Sequence, residues 1–119
     1  MDAGDIYEKK IIDLNGNLSD IFSRLNVAIN QLIDELLNSK LTPTPQKGEV
    51  VTFKRLSKID NEINALLKID QIYDRIRMVD HEDYPKAYIN FGNYKIELSN
   101  AKLESGNLSF EANFAKEKK

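Results

Sequence analysis

The chain has 119 residues, a size that suits one domain burying roughly two thirds of the surface its unfolded form would expose. Apolar residues make up 41% and charged residues 30%, which excludes a disordered chain, and a net charge of −2 supplies no strong field for capturing nucleic acid or an anionic membrane. The absence of cysteine excludes disulfides, thiolate chemistry and Cys-based zinc sites.

No basic segment followed by an apolar stretch opens the chain, and no apolar run approaches the ~18 residues of a membrane span, so a cytoplasmic protein with no membrane contact is expected. Ile, Lys and Asn are abundant, which points to an AT-rich coding genome such as that of a low-GC bacterium or a virus, phage included.

From Tyr7 the apolar residues recur at alternating spacings of three and four: Tyr7, Ile11, Leu14, Leu18, Ile21, Leu25, Ala28, Leu32. This is a heptad register. A second row of Phe22, Ile29, Ile33 and Leu36 widens it into a stripe suited to two neighbours, while Asp20, Ser23, Arg24, Asn30 and Asp34 occupy the wet face. Asn15-Gly16-Asn17 interrupts the pattern, and Asn17 with Asp20 three residues on resembles a cap. Two readings follow: one helix over 5–38, or a break at 15–17 with the longer helix starting at Leu18. Register continuity favours the first.

Leu41-Thr42-Pro43-Thr44-Pro45 cannot be helical, because each proline biases the residue before it toward extended geometry. Residues 39–56 therefore read as a linker, with 49–56 open to either strand or helix. Ser57 with Asp60 marks a second helix over 57–80, whose apolar residues drift around the wheel between Ile59 and Val79. Lys54, Arg55 and Lys58 near its start form a candidate anion contact, weighed against three solvated side chains.

After Asp80 the pattern alternates. Ala87–Phe91, Tyr94–Leu98 and 108–114, separated by Gly92-Asn93 and Ser105-Gly106-Asn107, predict a three-stranded β-meander over 84–114 whose apolar face meets the end of the second helix. Residues 115–119 read as a frayed tail. A competing pattern exists: Leu98, Leu103 and Leu108 are five apart, with Ile96, Ala101 and Gly106 two residues earlier. Over some twenty residues this resembles a pentapeptide repeat, which implies a short right-handed β-coil.

The expected fold is thus α+β, mainly α: one domain with a long antiparallel, coiled-coil-like helical hairpin followed by a small C-terminal antiparallel meander. Chemistry is sparse. His81, within Asp80-His81-Glu82-Asp83, is the sole histidine and the one candidate base near neutral pH or cation ligand, but a solvated loop explains these residues without a site and is the favoured reading. Walker, Rossmann, nucleophile-elbow and His-Glu-x-x-His patterns are all missing. The expectation is a non-enzymatic interaction or assembly module without metal or cofactor. It self-associates or docks on another protein through Ile11, Leu14, Leu18, Ile21, Phe22, Leu25, Ile29 and Leu32. Nucleic acid is disfavoured as a partner. The alternatives are a small nucleic-acid-binding regulator and a viral or bacterial inhibitor of a host protein.

Overall fold

The computed structural model describes residues 3–116. Along the chain come helix α1 (Leu18–Asn38), a 3-10 turn (Lys58–Asn61), helix α2 (Ile69–Arg77), and strands β1 (Ala87–Phe91), β2 (Tyr94–Glu104) and β3 (Asn107–Lys116). The strands form an antiparallel sheet in the order β1-β2-β3. The chain divides into two compact units, Met1–Asn15 with Ile21–Lys54, and Gly16–Asp20 with Arg55–Lys119. Among the described residues no helix is long and apolar enough to cross a membrane.

The expected helical hairpin is absent, and local hydrogen bonding explains why. Gly16 sits at φ +88, a left-handed conformation that ends any helix attempting to run through it. Immediately after it, the Asn17 side chain accepts the Asp20 N–H at 3.1 Å while the Asp20 carboxylate accepts the Asn17 N–H at 3.0 Å. This reciprocal cap starts α1 at Leu18, not near residue 5. Upstream, Ile6 exchanges two 2.8 Å backbone hydrogen bonds with Thr44, and the Gln46 amide donates to the Gly4 carbonyl. The Pro-rich segment thus serves as a pairing partner for extended chain. Arg24, expected on the wet face, reaches back to the Asp13 and Asn15 carbonyls.

The second expected helix, 57–80, is broken into pieces. Ser57 is held by the Asp60 carboxylate, but the turn this starts lasts four residues. Ile63 donates its N–H to the Tyr88 carbonyl at 2.8 Å, so this stretch runs beside β1 and does not coil. Asn64 then accepts the Leu66 N–H in an Asx turn, and Gln71 caps the Lys68 N–H to begin α2. The drift of the apolar face between Ile59 and Val79 was the trace of this break. Residues 49–56 are neither strand nor helix: they are exposed, and no backbone hydrogen bond joins them to another segment among the described residues.

In the second unit the core consists of Ile63, Ile76, Ala87 and Leu98, flanked by Leu67, Ile72, Val79, Ile89, Ile96 and Ala101. Ile76 is 0% exposed and Leu98 1%. Pairing of Ala87 with Leu98 and Leu98 with Ala112 puts small residues on either side of Leu98, leaving room for the α2 side chain above. The five-residue spacing of leucines is a consequence of a bulge, not of a coil. The β2–β3 register shifts between Ser99 and Lys102, with Asn100 at φ +52. In a regular strand Leu98 and Leu103 would face opposite ways; one extra residue returns Leu103 to the side of Leu98, where it pairs with Leu108. Ser105 (φ +49) and Gly106 (φ +77) close the hairpin with the two positive φ angles of a type I′ turn. Ala115 and Lys116, expected in a frayed tail, end β3, and 117–119 lie outside the described residues.

Two stability predictions follow from this packing. Ile76→Ala should lower the unfolding free energy by about 2–5 kcal/mol in urea titration, the range for a fully buried large-to-small change. At Gly16 an added Cβ would lie 2.4 Å from an Asp20 carboxylate oxygen on top of the unfavourable φ, whereas Gly4 has nothing within 4 Å. Gly16→Ala should therefore destabilise by about 1 kcal/mol or more, and Gly4→Ala should be indistinguishable from the parent.

Candidate functional site

The β2 bulge shapes a concavity of the second unit. It is an open groove of about 760 Å³ lined by Asn17, Asp20, Tyr73, Lys102, Ser109 and Glu111 among others. α2 supplies Tyr73, the bulged strand supplies Asn100–Glu104, and β3 supplies Ser109–Glu111. Arg77 organises one wall. It pairs with Asp74 at 2.7 Å, donates to the Gly16 carbonyl at 2.9 Å, and lies 5.3 Å from the Tyr73 ring centroid. The Asn17–Asp20 cap forms another part of the rim.

A smaller depression of about 350 Å³ adjoins Asp80, His81, Lys86 and Asn100. The Asp80 carboxylate, only 8% exposed, receives Lys86 Nζ at 2.6 Å and the Asn100 N–H at 2.8 Å. A polar group taken out of water is costly unless it is hydrogen-bonded, and these contacts meet that need. Here they tie the end of α2 to the bulge, so Asp80 is a clasp that sets the groove's shape. His81 accepts the Asp83 N–H at 3.2 Å, lies 3.6 Å from the Asp83 carboxylate and meets Tyr84 edge-on at 5.9 Å. The acidic loop around it thus folds on itself. Among the described residues no three His, Asp or Glu side chains are grouped to hold a metal ion. At the surface of the first unit, hydrogen bonds from Asn15, backbone first, hold the Asp13 carboxyl below the usual range, and the nearby Arg24 charge adds to this.

In this unit Asp74 and Arg77, and Asp80 and Lys86, engage each other or the backbone, while Lys102, Glu104 and Glu111 line the groove, and both concavities are open with charged side chains at their surface. Such a surface can contact an extended polar molecule; it does not enclose a reacting one.

The residues expected at an interface are scattered by the break at Gly16. Ile11 is fully exposed and Leu14 exposed, both on non-helical chain. On α1, Leu18 and Ile21 are buried, Phe22 and Leu32 half-buried, and Leu25 and Ile29 exposed. Lys54 closes the first unit, while Arg55 and Lys58 open the second; all three are exposed and form no ion pair among the described residues. The groove was missed by sequence reasoning. Its one visible signal was the switch of alternation at Asn100, where the apolar positions pass from even numbers (Ile96, Leu98) to odd (Ala101, Leu103).

Comparison with known proteins overturns the functional expectation. Residues 58–115 match the family described as methionyl-tRNA formyltransferase, C-terminal domain. The methionyl-tRNA formyltransferase of Sulfurihydrogenibium sp. (strain YO3AOP1) is 26% identical over 119 residues, covering 92% of this chain and 37% of the relative. The structure of a methionyl-tRNA formyltransferase from Clostridium thermocellum superposes with a TM-score of 0.88 at 36% identity, covering 98% of this chain and 52% of that one. The chain therefore spans between about a third and a half of the length of the relatives it matches. These relatives are enzymes, so the expectation of a non-enzymatic, self-associating coiled-coil module is corrected, as are those of a nucleic-acid-binding regulator, a host-directed inhibitor and a phage protein. The short helix and the three-stranded antiparallel sheet lie in the part that matches the C-terminal domain of methionyl-tRNA formyltransferase, and the long helix lies in the wider structural likeness.

Proposed function

We propose that this chain works in the cytoplasm as part of a methionyl-tRNA formyltransferase, helping to hold methionyl-tRNA while the part of such enzymes beyond its span carries the transfer chemistry. The observation that carries this reading is the likeness over 98% of the chain at 36% identity. The open polar groove supports it, since a tRNA is an extended polar ligand that needs surface contacts more than an enclosed cavity.

Electrostatics set the weight of that contact. Residues 55–116 contain nine bases and ten acids, so no long-range field attracts RNA. Binding then rests on local cations. Arg55 and Lys58 suit phosphate contact because both are exposed and neither is tied to a carboxylate among the described residues. A nearly neutral unit supplies a supporting contact and leaves most of the affinity to the rest of the enzyme.

Replacing the matched part of the Clostridium thermocellum enzyme with this chain should preserve formyl transfer to methionyl-tRNA to within about tenfold of the parent, a loss of no more than about 1.4 kcal/mol in transition-state binding. A chimera that is folded by circular dichroism yet transfers no formyl group would overturn the reading. In the active chimera, Arg55→Ala with Lys58→Ala should weaken methionyl-tRNA binding several-fold at low salt. It should also make the slope of log affinity against log salt shallower by about 1.5, as expected for two lost phosphate contacts. An unchanged slope would remove these two residues from the interface.

A further inference from the structure

We infer that Asn15-Gly16 is a self-modifying site, at which the Asn15 side-chain nitrogen is lost as ammonia and Arg24 promotes the step. The reaction is attack of a backbone nitrogen on a neighbouring side-chain amide, and it needs no reagent but water. Asn15-Gly16 is the one Asn-Gly pair in the sequence. Glycine has no side chain to shield its nitrogen or to restrict the turn that brings this nitrogen to the Asn15 amide. Asn15 is exposed and lies outside every helix and strand. The Gly16 N–H, the nucleophile once it is deprotonated, has no hydrogen-bond acceptor among the described residues.

Two neighbours assist. A peptide nitrogen that loses its proton shares the negative charge with the carbonyl oxygen of the same peptide unit, through the resonance that keeps the unit planar. For the Gly16 nitrogen that oxygen is the Asn15 carbonyl, and Arg24 Nη2 donates to it at 2.6 Å. A charged donor at that oxygen stabilises the anion more than the neutral amide. Asp13 completes the arrangement. Its carboxylate accepts the Asn15 N–H at 3.0 Å and a hydrogen bond from the Asn15 side chain, which holds the amide whose nitrogen departs. The Gly16 nitrogen bonds to the Asn15 side-chain carbonyl carbon, the bond from that carbon to Nδ2 breaks, and the Gly16 proton passes through solvent to the departing ammonia. Water then opens the cyclic imide at either carbonyl, leaving Asp or isoaspartate at position 15. Either product sets a second carboxylate beside Asp13 and removes the amide donor. Isoaspartate also adds a methylene to the backbone directly ahead of the turn and the Asn17–Asp20 cap that start α1. The site thus loosens the approach to α1 slowly and irreversibly.

The test incubates the 119-residue chain in mildly alkaline buffer and follows, by peptide mass spectrometry, exchange of each side-chain amide for a carboxylate. Asn15 should convert faster than every other asparagine. In Arg24→Gln, which leaves only a neutral donor, conversion of Asn15 should slow roughly fivefold, and Arg24→Lys should recover part of the rate. Parent and Arg24→Gln should convert equally in urea that unfolds both, because residue 24 has then left the Asn15 carbonyl. An unchanged or faster rate in folded Arg24→Gln would overturn the inference, as would a parent in which Asn15 is no faster than the other asparagines. A difference that persists in urea would also overturn it, by removing the folded contact as its cause. Should Arg24→Gln fail to fold, the parent alone decides: Asn15 must convert faster in the folded chain than in urea, and the reverse order rejects the site.

Discussion

The burial of Ile76 between Ile63, Ala87 and Leu98 is the constraint on which the second unit depends. α2 has only nine residues, too few to be stable alone, so it persists because this contact removes its apolar face from water. The same contact requires small neighbours at Ala87 and Ala112 beside Leu98 and explains why the sheet's covered face is aliphatic where α2 lies. Beyond that cover the face continues as Phe91, Tyr94 and Phe114, which are exposed and meet one another edge-on. On the opposite face Lys95 stands 3.7 Å from the Tyr88 ring centroid, a cation–π contact that stiffens the β1–β2 ribbon.

Once α2 is fixed on the sheet, polar chemistry refines the groove. Asp80 follows α2 and holds the Asn100 N–H, so the bulge is locked to the helix that creates the core. Arg77, one residue after Ile76, leaves the core-facing side because a helix turns its next residue by about 100°, and it reaches the carbonyl of Gly16, which lines the groove. The side chains of the site are therefore positioned by the core together with the Asp80 and Arg77 contacts built on it.

The first unit follows a different logic. Its helix has one covered row and one uncovered row, with Val50 and Phe53 also exposed on extended chain. Isolated exposed apolar residues need no explanation, but a continuous aliphatic row does. The wide apolar stripe did mark a helix, starting at Leu18, with one row buried or half-buried and one exposed.

The sequence by itself determined what depends on near neighbours. The alternation after Asp80 marked the strands, Ser105-Gly106 the hairpin turn, and the three-four spacing from Leu18 the long helix. It also contained, at Gly16 and Asn100, the local breaks in those patterns. What it left undecided were questions of competition between distant segments. Whether 62–64 coils or runs extended was settled by the Tyr88 carbonyl, twenty-five residues from Ile63, and residues 3–17 remained non-helical with Ile6 paired to Thr44. A backbone group has one N–H to give, and only tertiary structure decides whether it goes to the next turn or to a remote strand. The groove belongs to the same class: Asp80 and Asn100 are unremarkable in sequence, and they become a site only when the core brings them within 2.8 Å.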